Sequence, residues 1–363
     1  MCPRLTTIAM ASLRSLTPCF LADMDPSLSA HTRDFLHIFA ETALTANYLA
    51  AGAVCALSTN SPLLLEAARE SFLPLDSSGA KPDISLRFWV DGGDSPGPPW
   101  PKPYLRGLDD MVFAGFDAKS SLIADLANRE VLGRFSAAMA NDTKYWRTTI
   151  FPMLLSIVAG SVGVVELHAS CAAMDRKGLI FIGPSRSGKS TIAMALVHAG
   201  FRLLSDDRVF CSVQNGKVQA YGLPRPLKLR RDAGKWFDEW KDREPIEVQN
   251  GENVFFWNFN SKAGQGPPVP CEPKALIFLE RAEGARFDLT AMDRNEVRSR
   301  IESELLAESA AAVHKQQKTV GKLMELTCCR LTYGGSPESV AGKLREMLLD
   351  ENGFDCIDRG RTS

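Results

Sequence analysis

An eight-residue segment near the middle of the chain constrains its fold more than any other. Residues 183–190 read GPSRSGKS, which fits the pattern GxxxxGK[ST] of a phosphate-binding loop. The apolar residues 178–182 before it predict a buried strand. Apolar residues recur at helical spacing over 192–199, and Gly200 stands where a helix commonly ends on glycine. The sequence therefore predicts the order strand, loop, helix, which is the context that the motif requires.

This loop predicts a site for ATP and Mg²⁺. Backbone N–H groups of the loop and of the helix start would point at the phosphates, and the helix dipole favours negative charge there. Lys189 would reach the β- and γ-phosphates, and the Ser190 hydroxyl would ligate Mg²⁺. The alternative is a chance match in a turn rich in Ser and Gly. The predicted nucleotide-binding residues are Gly183, Pro184, Ser185, Arg186, Ser187, Gly188, Lys189, Ser190 and Thr191.

Two consecutive carboxylates follow the next apolar segment. Residues 201–204 predict a strand, and Asp206 and Asp207 come at its carboxyl end, one helix and one strand after Lys189. Because α/β sheets bind ligands at the carboxyl ends of their strands, these acids are expected close to the loop. We expect Asp206 to hold Mg²⁺ together with Ser190. The alternative interpretation of the two acids is an exposed turn between strands.

Composition narrows the class of protein. The chain has 363 residues, of which 45% are hydrophobic and 23% charged, as in an ordinary globular protein of about two domains. The net charge of −1 argues against a nucleic-acid or membrane-surface partner. The nine cysteines form no CxxC pair, which favours buried thiols in a reducing, cytoplasmic environment. The N-terminal residues lack a signal-peptide pattern, and the longest apolar run, 151–165, is too short for a membrane span.

The pattern of elements predicts two domains and a tail. Residues 1–144 are expected to form a smaller mixed α+β domain, in which 29–51 carries a helical pattern; nothing in the sequence assigns this domain a role. Residues 145–350 are expected to form the domain with the phosphate-binding loop, and 351–363 a frayed tail. Residues 164–174 are interpreted as one continuous strand that leads toward the loop.

The segment from His168 to Asp207 resembles the HPr kinase/phosphorylase family. The resemblance runs without gaps through the phosphate-binding loop and both acids, and it continues more weakly at 215–216 and 333–334. It covers roughly the second half of the chain. The general layout, with an added N-terminal part, is similar to HPr-kinase-like proteins associated with peptide natural products, some of which phosphorylate a serine of a lasso precursor peptide.

The resemblance implies a fold class and a set of roles. The fold implied is α/β, a P-loop kinase domain of the HPr kinase and phosphoenolpyruvate carboxykinase type. In that family the acid matching Asp207 accepts the proton of the target hydroxyl, and the positions matching Lys189 and His168 belong to the active centre. The position matching Ser190 binds magnesium. Members of that family form oligomers, so the resemblance leaves open whether this chain forms a homo-oligomer.

Three functions follow as hypotheses. The first is an ATP-dependent kinase that phosphorylates a serine hydroxyl on a peptide or protein partner. The second is a kinase for a small hydroxyl metabolite, and the third is a nucleotide-gated binding module without catalysis.

Arg225, between two prolines, is interpreted as facing the transferred phosphate or an acidic part of the substrate. The aromatic residues of 255–259 are either a peptide-binding lid or core.

Overall fold

The chain folds into a mixed α/β structure with several β-sheets. The structure is a computed structural model that describes residues 42–76, 81–92, 95–223, 225–248, 251–257, 268–305, 309–350, 353–354 and 357. All of these belong to one unit, Thr42–Ser363. The described residues form an eight-stranded sheet, a six-stranded sheet and two three-stranded sheets.

The eight-stranded sheet comes first along the chain, and its spatial order is β3-β1-β2-β4-β8-β7-β6-β5. Its strands are β1 (Leu44–Ala50), β2 (Ala53–Thr59), β3 (Leu73–Leu75), β4 (Ile84–Asp91), β5 (Tyr104–Leu108), β6 (Met111–Gly115), β7 (Ser121–Asp125) and β8 (Glu130–Ser136). The helices that accompany it are α1 (Pro62–Ser71), α2 (Ala137–Asn141), α3 (Thr143–Tyr145), a π-helical turn (Trp146–Ile150), α4 (Phe151–Val158) and a 3₁₀ turn (Ala159–Val162).

Aromatic packing joins these helices to the sheet. Trp146 is fully buried, with its ring 4.6 Å from that of Phe135 and 5.1 Å from that of Phe151. Its indole N–H donates to the Met139 carbonyl at 3.0 Å, so the polar end of the side chain is also satisfied. The core of this sheet extends beyond the predicted boundary at residue 144, because it includes residues up to Val164 and also Phe210, Tyr221 and Leu223. The division into two domains stays a prediction.

The remaining strands belong to the other three sheets. The six-stranded sheet has the order β12-β10-β11-β18-β20-β19. Its strands are β10 (Ala169–Met174), β11 (Lys177–Ile182), β12 (Arg202–Ser205), β18 (Glu272–Arg281), β19 (Phe287–Ala291) and β20 (Thr327–Tyr333). The two small sheets comprise β9 (Val165–Leu167), β13 (Val209–Gln214) and β14 (Lys217–Tyr221), and β15 (Leu227–Arg230), β16 (Ile246–Glu247) and β17 (Asn253–Trp257).

Both faces of the six-stranded sheet are buried, which explains why β11 is apolar at consecutive positions. Leu179 and Phe181 enter one core, and Ile180 and Ile182 enter the other. The helices on its two faces are α5 (Lys189–His198), α6 (Arg231–Gly234), α7 (Arg294–Glu304), α8 (Ala310–Leu323) and α9 (Pro337–Leu349). Among the described residues, no helix has the length and apolar character needed to cross a membrane.

Two expectations about elements are wrong, and a third, the frayed tail, stays a prediction. Within the helix expected over 29–51, residues 44–50 form β1, because the turn at Ala51 and Gly52 (φ 51° and 87°) pairs this strand with β2; residues 29–41 lie outside the described part. The single strand expected over 164–174 is two strands, β9 and β10, which belong to different sheets. The tail 351–363 lies almost entirely outside the described residues.

Candidate active site

One edge of the six-stranded sheet brings the predicted site residues together. Strand β10 is antiparallel to both β11 and β12, so β11 and β12 run in the same direction although β10 separates them. Their carboxyl ends, and the start of β10, therefore meet at the same edge. The parallel strands β18 and β20 also end there, at Arg281 and Tyr333. Residues that are far apart in the sequence thus converge on the phosphate-binding loop.

The strand–loop–helix order predicted for the motif is present. β11 leads into residues 183–188, and α5 begins at Lys189 with Gly188 as its N-cap in the left-handed region (φ 97°). A Cβ on Gly188 would lie 2.0 Å from the Tyr333 hydroxyl oxygen, so this position has no room for a side chain. The Tyr333 hydroxyl donates to the Ser187 carbonyl at 2.7 Å, which fixes the loop against the end of β20.

Lys189 folds back over its own loop. Its ammonium group donates to the carbonyl oxygens of Gly183 at 2.7 Å and Pro184 at 3.3 Å, and the residue is 8% exposed. Burial lowers the pKa of Lys189, and the nearby carboxylates of Asp206 and Asp207 oppose that shift. The ammonium group is therefore at the loop, where a phosphate group would compete with the carbonyl oxygens for its protons.

Asp206 is buried and surrounded by hydrogen-bond donors. The Ser190 hydroxyl donates to its two carboxylate oxygens at 3.0 Å each, and the Ser170 hydroxyl donates at 2.6 Å. The Lys228 backbone N–H adds a contact of 3.3 Å. Burial raises the pKa of Asp206, and these three donors oppose the increase. The structure thus brings the predicted metal ligands, Ser190 and Asp206, into direct contact.

Asp207 has the opposite environment. Its side chain is 54% exposed, with one carboxylate oxygen 3.2 Å from His168 Nδ1 and the other 3.6 Å from a guanidinium nitrogen of Arg225. The hydrogen bond between Asp207 and His168 lowers the pKa of Asp207 and raises that of His168. Burial lowers the pKa of Arg225. The predicted base, the predicted active-centre histidine and the predicted substrate arginine thus form one cluster.

Two residues at this edge have a strained backbone. Arg186 in the loop and Asp207 both have positive φ, at 72° and 76°, although neither is glycine. Non-glycine residues in this region cost of order 1–3 kcal/mol each and are held by their surroundings. At Asp207 this conformation directs consecutive carboxylates into different environments, one buried and one exposed.

These groups line a single open cleft of about 1200 Å³. Its walls include most of the phosphate-binding loop, both acids, His168 and Arg225. The small sheet of β15, β16 and β17 forms another wall, where Lys228 and Arg230 both pair with Glu252.

The aromatic residues of 255–259 differ in exposure. Phe256 is 38% exposed in this wall, whereas Phe255 is buried, and Phe259 lies outside the described residues. Of the three described aromatic residues, Phe256 therefore faces the cleft, Phe255 belongs to the core, and the partly buried Trp257 packs against that core.

The donor set suits Mg²⁺ bound together with phosphates. Among the described residues, no cluster of three or more His, Cys, Asp or Glu side chains could hold a metal alone. Mg²⁺ usually takes one or two protein oxygens and completes its shell with water and phosphate, which Ser190 and Asp206 can supply next to the loop. The buried Ser187 hydroxyl has no hydrogen-bond partner among the described residues, which fits a loop completed by a ligand.

Several residues of this edge were not predicted from the sequence. Ser170 holds Asp206, Tyr333 holds the loop, and Glu304 at the end of α7 accepts from the His168 backbone N–H at 3.3 Å. Lys144 lines the cleft from α3, within the part of the chain assigned to the first domain. Of these residues, only Tyr333 was indicated by the sequence, through the weak resemblance at 333–334. The other three reach the site through contacts between segments that are distant in the sequence.

Comparisons with known proteins identify no family for this chain. No protein-family model matches the chain, and no curated protein matches it. Among the solved structures that match is the Hpr(Ser) kinase/phosphatase from Coxiella burnetii, with 13% sequence identity over 55% of this chain and 99% of that chain. The TM-score is 0.29, and at that score the likeness supports no conclusion about fold or function.

Proposed function

We propose that this protein is an ATP-dependent kinase that phosphorylates a serine hydroxyl on a peptide or protein. One observation carries the proposal: a phosphate-binding loop and two consecutive carboxylates, one buried and one exposed, line the same cleft. Phosphoryl transfer needs mainly positioning and charge neutralisation, together with a carboxylate that orients the attacking oxygen. The three requirements correspond to different residues of this cleft.

The loop and its lysine would hold the triphosphate. Backbone N–H groups of residues 185–191 would bind the phosphates, and Lys189 would exchange its carbonyl partners for phosphate oxygens. Ser190 and Asp206 would hold Mg²⁺, which when bound supplies neutralisation of the phosphate charge. Asp206 already sits in contact with Ser190, so the protein ligands are positioned before the metal arrives.

Asp207 would orient the acceptor serine and take its proton. As the serine oxygen bonds to the γ-phosphorus, the bond from that phosphorus to the bridging oxygen breaks, ADP leaves, and the hydroxyl proton passes to Asp207. His168 and Arg225 hold the Asp207 carboxylate between them, which limits its rotation. Arg225 also carries positive charge to the place where the transferred group would arrive.

The first test replaces the acceptor carboxylate. In Asp207→Asn we expect ATP binding close to wild type and phosphoryl transfer reduced by a factor of 10² or more, roughly the range of a general base. Transfer is measured with labelled ATP, and binding with a fluorescent ATP analogue. Asp175→Asn is the matched control, because Asp175 also has positive φ (49°) but lies in the turn before β11, at the opposite end of that strand.

The second variant, Lys189→Ala, tests whether ATP binding depends on the phosphate-binding loop. Lys189→Ala removes the ammonium group beside the loop, and ATP binding should fall below detection in the same titration. Unchanged affinity in Lys189→Ala, or full turnover in Asp207→Asn, would contradict the assigned roles. ATP binding without transfer to any acceptor would favour a nucleotide-gated binding module, and transfer only to metabolites would favour a small-molecule kinase.

A further inference from the structure

We propose that the acceptor is an acidic polypeptide segment and that Lys144 helps to select it. This inference rests on the proposed function, because it concerns the second substrate of the same cleft. It follows from the charge of the cleft walls, from the pairing of their charged side chains, and from the apolar part of the cleft wall.

The cleft walls carry more positive than negative charge. Two basic residues belong to the loop itself, Arg186 and Lys189. Six more come from the surrounding walls: Lys144, Arg225, Lys228, Arg230, Lys235 and Arg281. Among the described residues that line the cleft, four carboxylates face them: Asp206, Asp207, Asp232 and Glu252. Because the whole chain has a net charge of −1, this excess of cations is local to the cleft.

The net positive charge of the cleft is larger than the negative charge of the bound nucleotide. A complex of ATP with Mg²⁺ carries a charge of about −2, and its phosphates would be held by the loop, Lys189 and the metal ligands. Eight basic side chains against four carboxylates leave four positive charges, so about two remain after the nucleotide has bound. A second substrate that enters the same cleft would therefore be favoured if it were anionic.

The cations differ in whether they are already paired. Lys228 and Arg230 share Glu252, and Arg225 contacts Asp207. Lys144, by contrast, is exposed and forms no ion pair with any described carboxylate. It lies on α3, directly before the π-helical turn, and Thr148 of that turn lines the cleft beside it. Lys144 is therefore available to an anionic substrate from a wall that is remote in sequence from the phosphate-binding loop.

Apolar surface in the cleft wall favours a polypeptide over a small anion. The cleft, about 1200 Å³ in volume, holds the nucleotide at the loop and leaves the apolar wall to the acceptor. Ile246 is 60% exposed and Phe256 38% exposed in the wall of the cleft, and Trp236 lines it as well. A peptide can place a carboxylate near Lys144 and an apolar side chain on these residues, whereas a small anion has no use for the apolar wall.

The experiment compares short synthetic peptides that contain one serine with flanking Asp and Glu, Ala, or Lys residues. Binding is measured by fluorescence anisotropy in the presence of Mg²⁺ and a non-hydrolysable ATP analogue, and transfer is measured with labelled ATP. We expect the acidic peptide to bind roughly tenfold more tightly than the neutral one, and the difference to shrink with added salt. Equal binding of the neutral peptide, or tighter binding of the basic one, would overturn the inference.

A charge reversal tests the assigned residue. Lys144→Glu should reduce the preference for the acidic peptide several-fold, while Lys177→Glu should not change it. Lys177 is an exposed lysine at the start of β11, at the end opposite to the loop, so it matches the change in net charge. An unchanged preference in Lys144→Glu would overturn the role of Lys144. An RNA oligonucleotide of equal charge that binds as tightly as the acidic peptide would overturn the polypeptide assignment.

Failure of this inference differs from failure of the proposed function. If acidic peptides bind preferentially but none is ever phosphorylated, the anionic acceptor site stands and the kinase proposal falls. If neutral or basic peptides are phosphorylated as efficiently as acidic ones, the kinase proposal stands and the proposed preference for acidic peptides is wrong.

Discussion

At the scale of single residues, the most informative pair is Asp206 and Asp207. They are neighbours in the chain, yet burial raises the pKa of one and a hydrogen bond with His168 lowers the pKa of the other. Pairs of titratable groups whose environments separate their pKa values commonly have different chemical roles. A buried carboxylate with three donors suits a fixed metal ligand, and an exposed one suits contact with an acceptor.

This pair gives a pH prediction. In the wild-type protein, we expect His168 to titrate above its usual value of about 6.5, because the Asp207 carboxylate stabilises the protonated imidazole. Asp207→Asn removes that charge, so the pKa of His168 should fall back toward 6.5. The measurement is an NMR titration of the histidine ring protons. A His168 pKa that does not respond to the substitution would show that the two side chains are not paired in solution.

The same shifts set the sign of any effect on stability. The His168 contribution is fully present below about pH 6.5 and is lost as pH rises through its higher folded pKa. The Asp207 contribution is present above about pH 3.9 and is lost as pH falls through its lower folded pKa. The pair therefore stabilises the fold most between these values. Because both side chains are about half exposed, solvent screening keeps the contribution small.

At the scale of elements, the phosphate-binding loop depends on a strand far away in the sequence. Tyr333, at the end of β20, packs over Gly188 and holds the Ser187 carbonyl. A local motif therefore obtains its fixed shape from a non-local contact.

Two glycine substitutions test this contact. Gly188→Ala should destabilise the protein more than Gly216→Ala and should also weaken ATP binding. Both glycines have positive φ, 97° and 78°, but a Cβ on Gly188 would collide with Tyr333, whereas Gly216 has open space around it. Backbone strain alone costs about 1–2 kcal/mol in each variant, so the difference reports the collision. Urea denaturation and an ATP titration measure the two effects; equal costs and normal ATP binding in both variants would contradict this view of the loop.

Elements with strong local signals were predicted correctly from the sequence. Ser61 and Pro62 predict a helix start, and α1 begins at Pro62. Asn215-Gly216 predicts a hairpin, which β13 and β14 form, and the helix predicted over 337–349 is α9. Elements that depend on strand pairing are not predicted correctly by the local pattern. That pattern predicts one helix over 232–240 and an irregular stretch over 244–273, but the first contains only short helical turns and the second contains β16 and β17. In these segments tertiary contacts outweigh the local pattern.

At the scale of the whole molecule, the sequence predicted the loop and both acids but not how they meet. Because the strand before the acids is the next one after the loop in the sequence, the two strands are predicted to be adjacent in the sheet. That prediction is wrong, because β10 lies between β11 and β12. The interposed strand contributes Ser170 to the site, and it begins directly after His168, which is thereby placed at the same edge. Sheet order is a non-local property, and for this reason Ser170, Glu304 and Lys144 could not be assigned to the site from the sequence.

The central claim is that the loop and the two carboxylates serve one bound triphosphate. The most direct test is a crystal structure of the protein with Mg²⁺ and a non-hydrolysable ATP analogue. We predict the triphosphate on residues 183–191, the metal ion on Ser190 and Asp206, and the terminal phosphate facing Asp207. A nucleotide bound elsewhere, or a triphosphate on the loop with its terminal phosphate directed away from both carboxylates, would contradict the account.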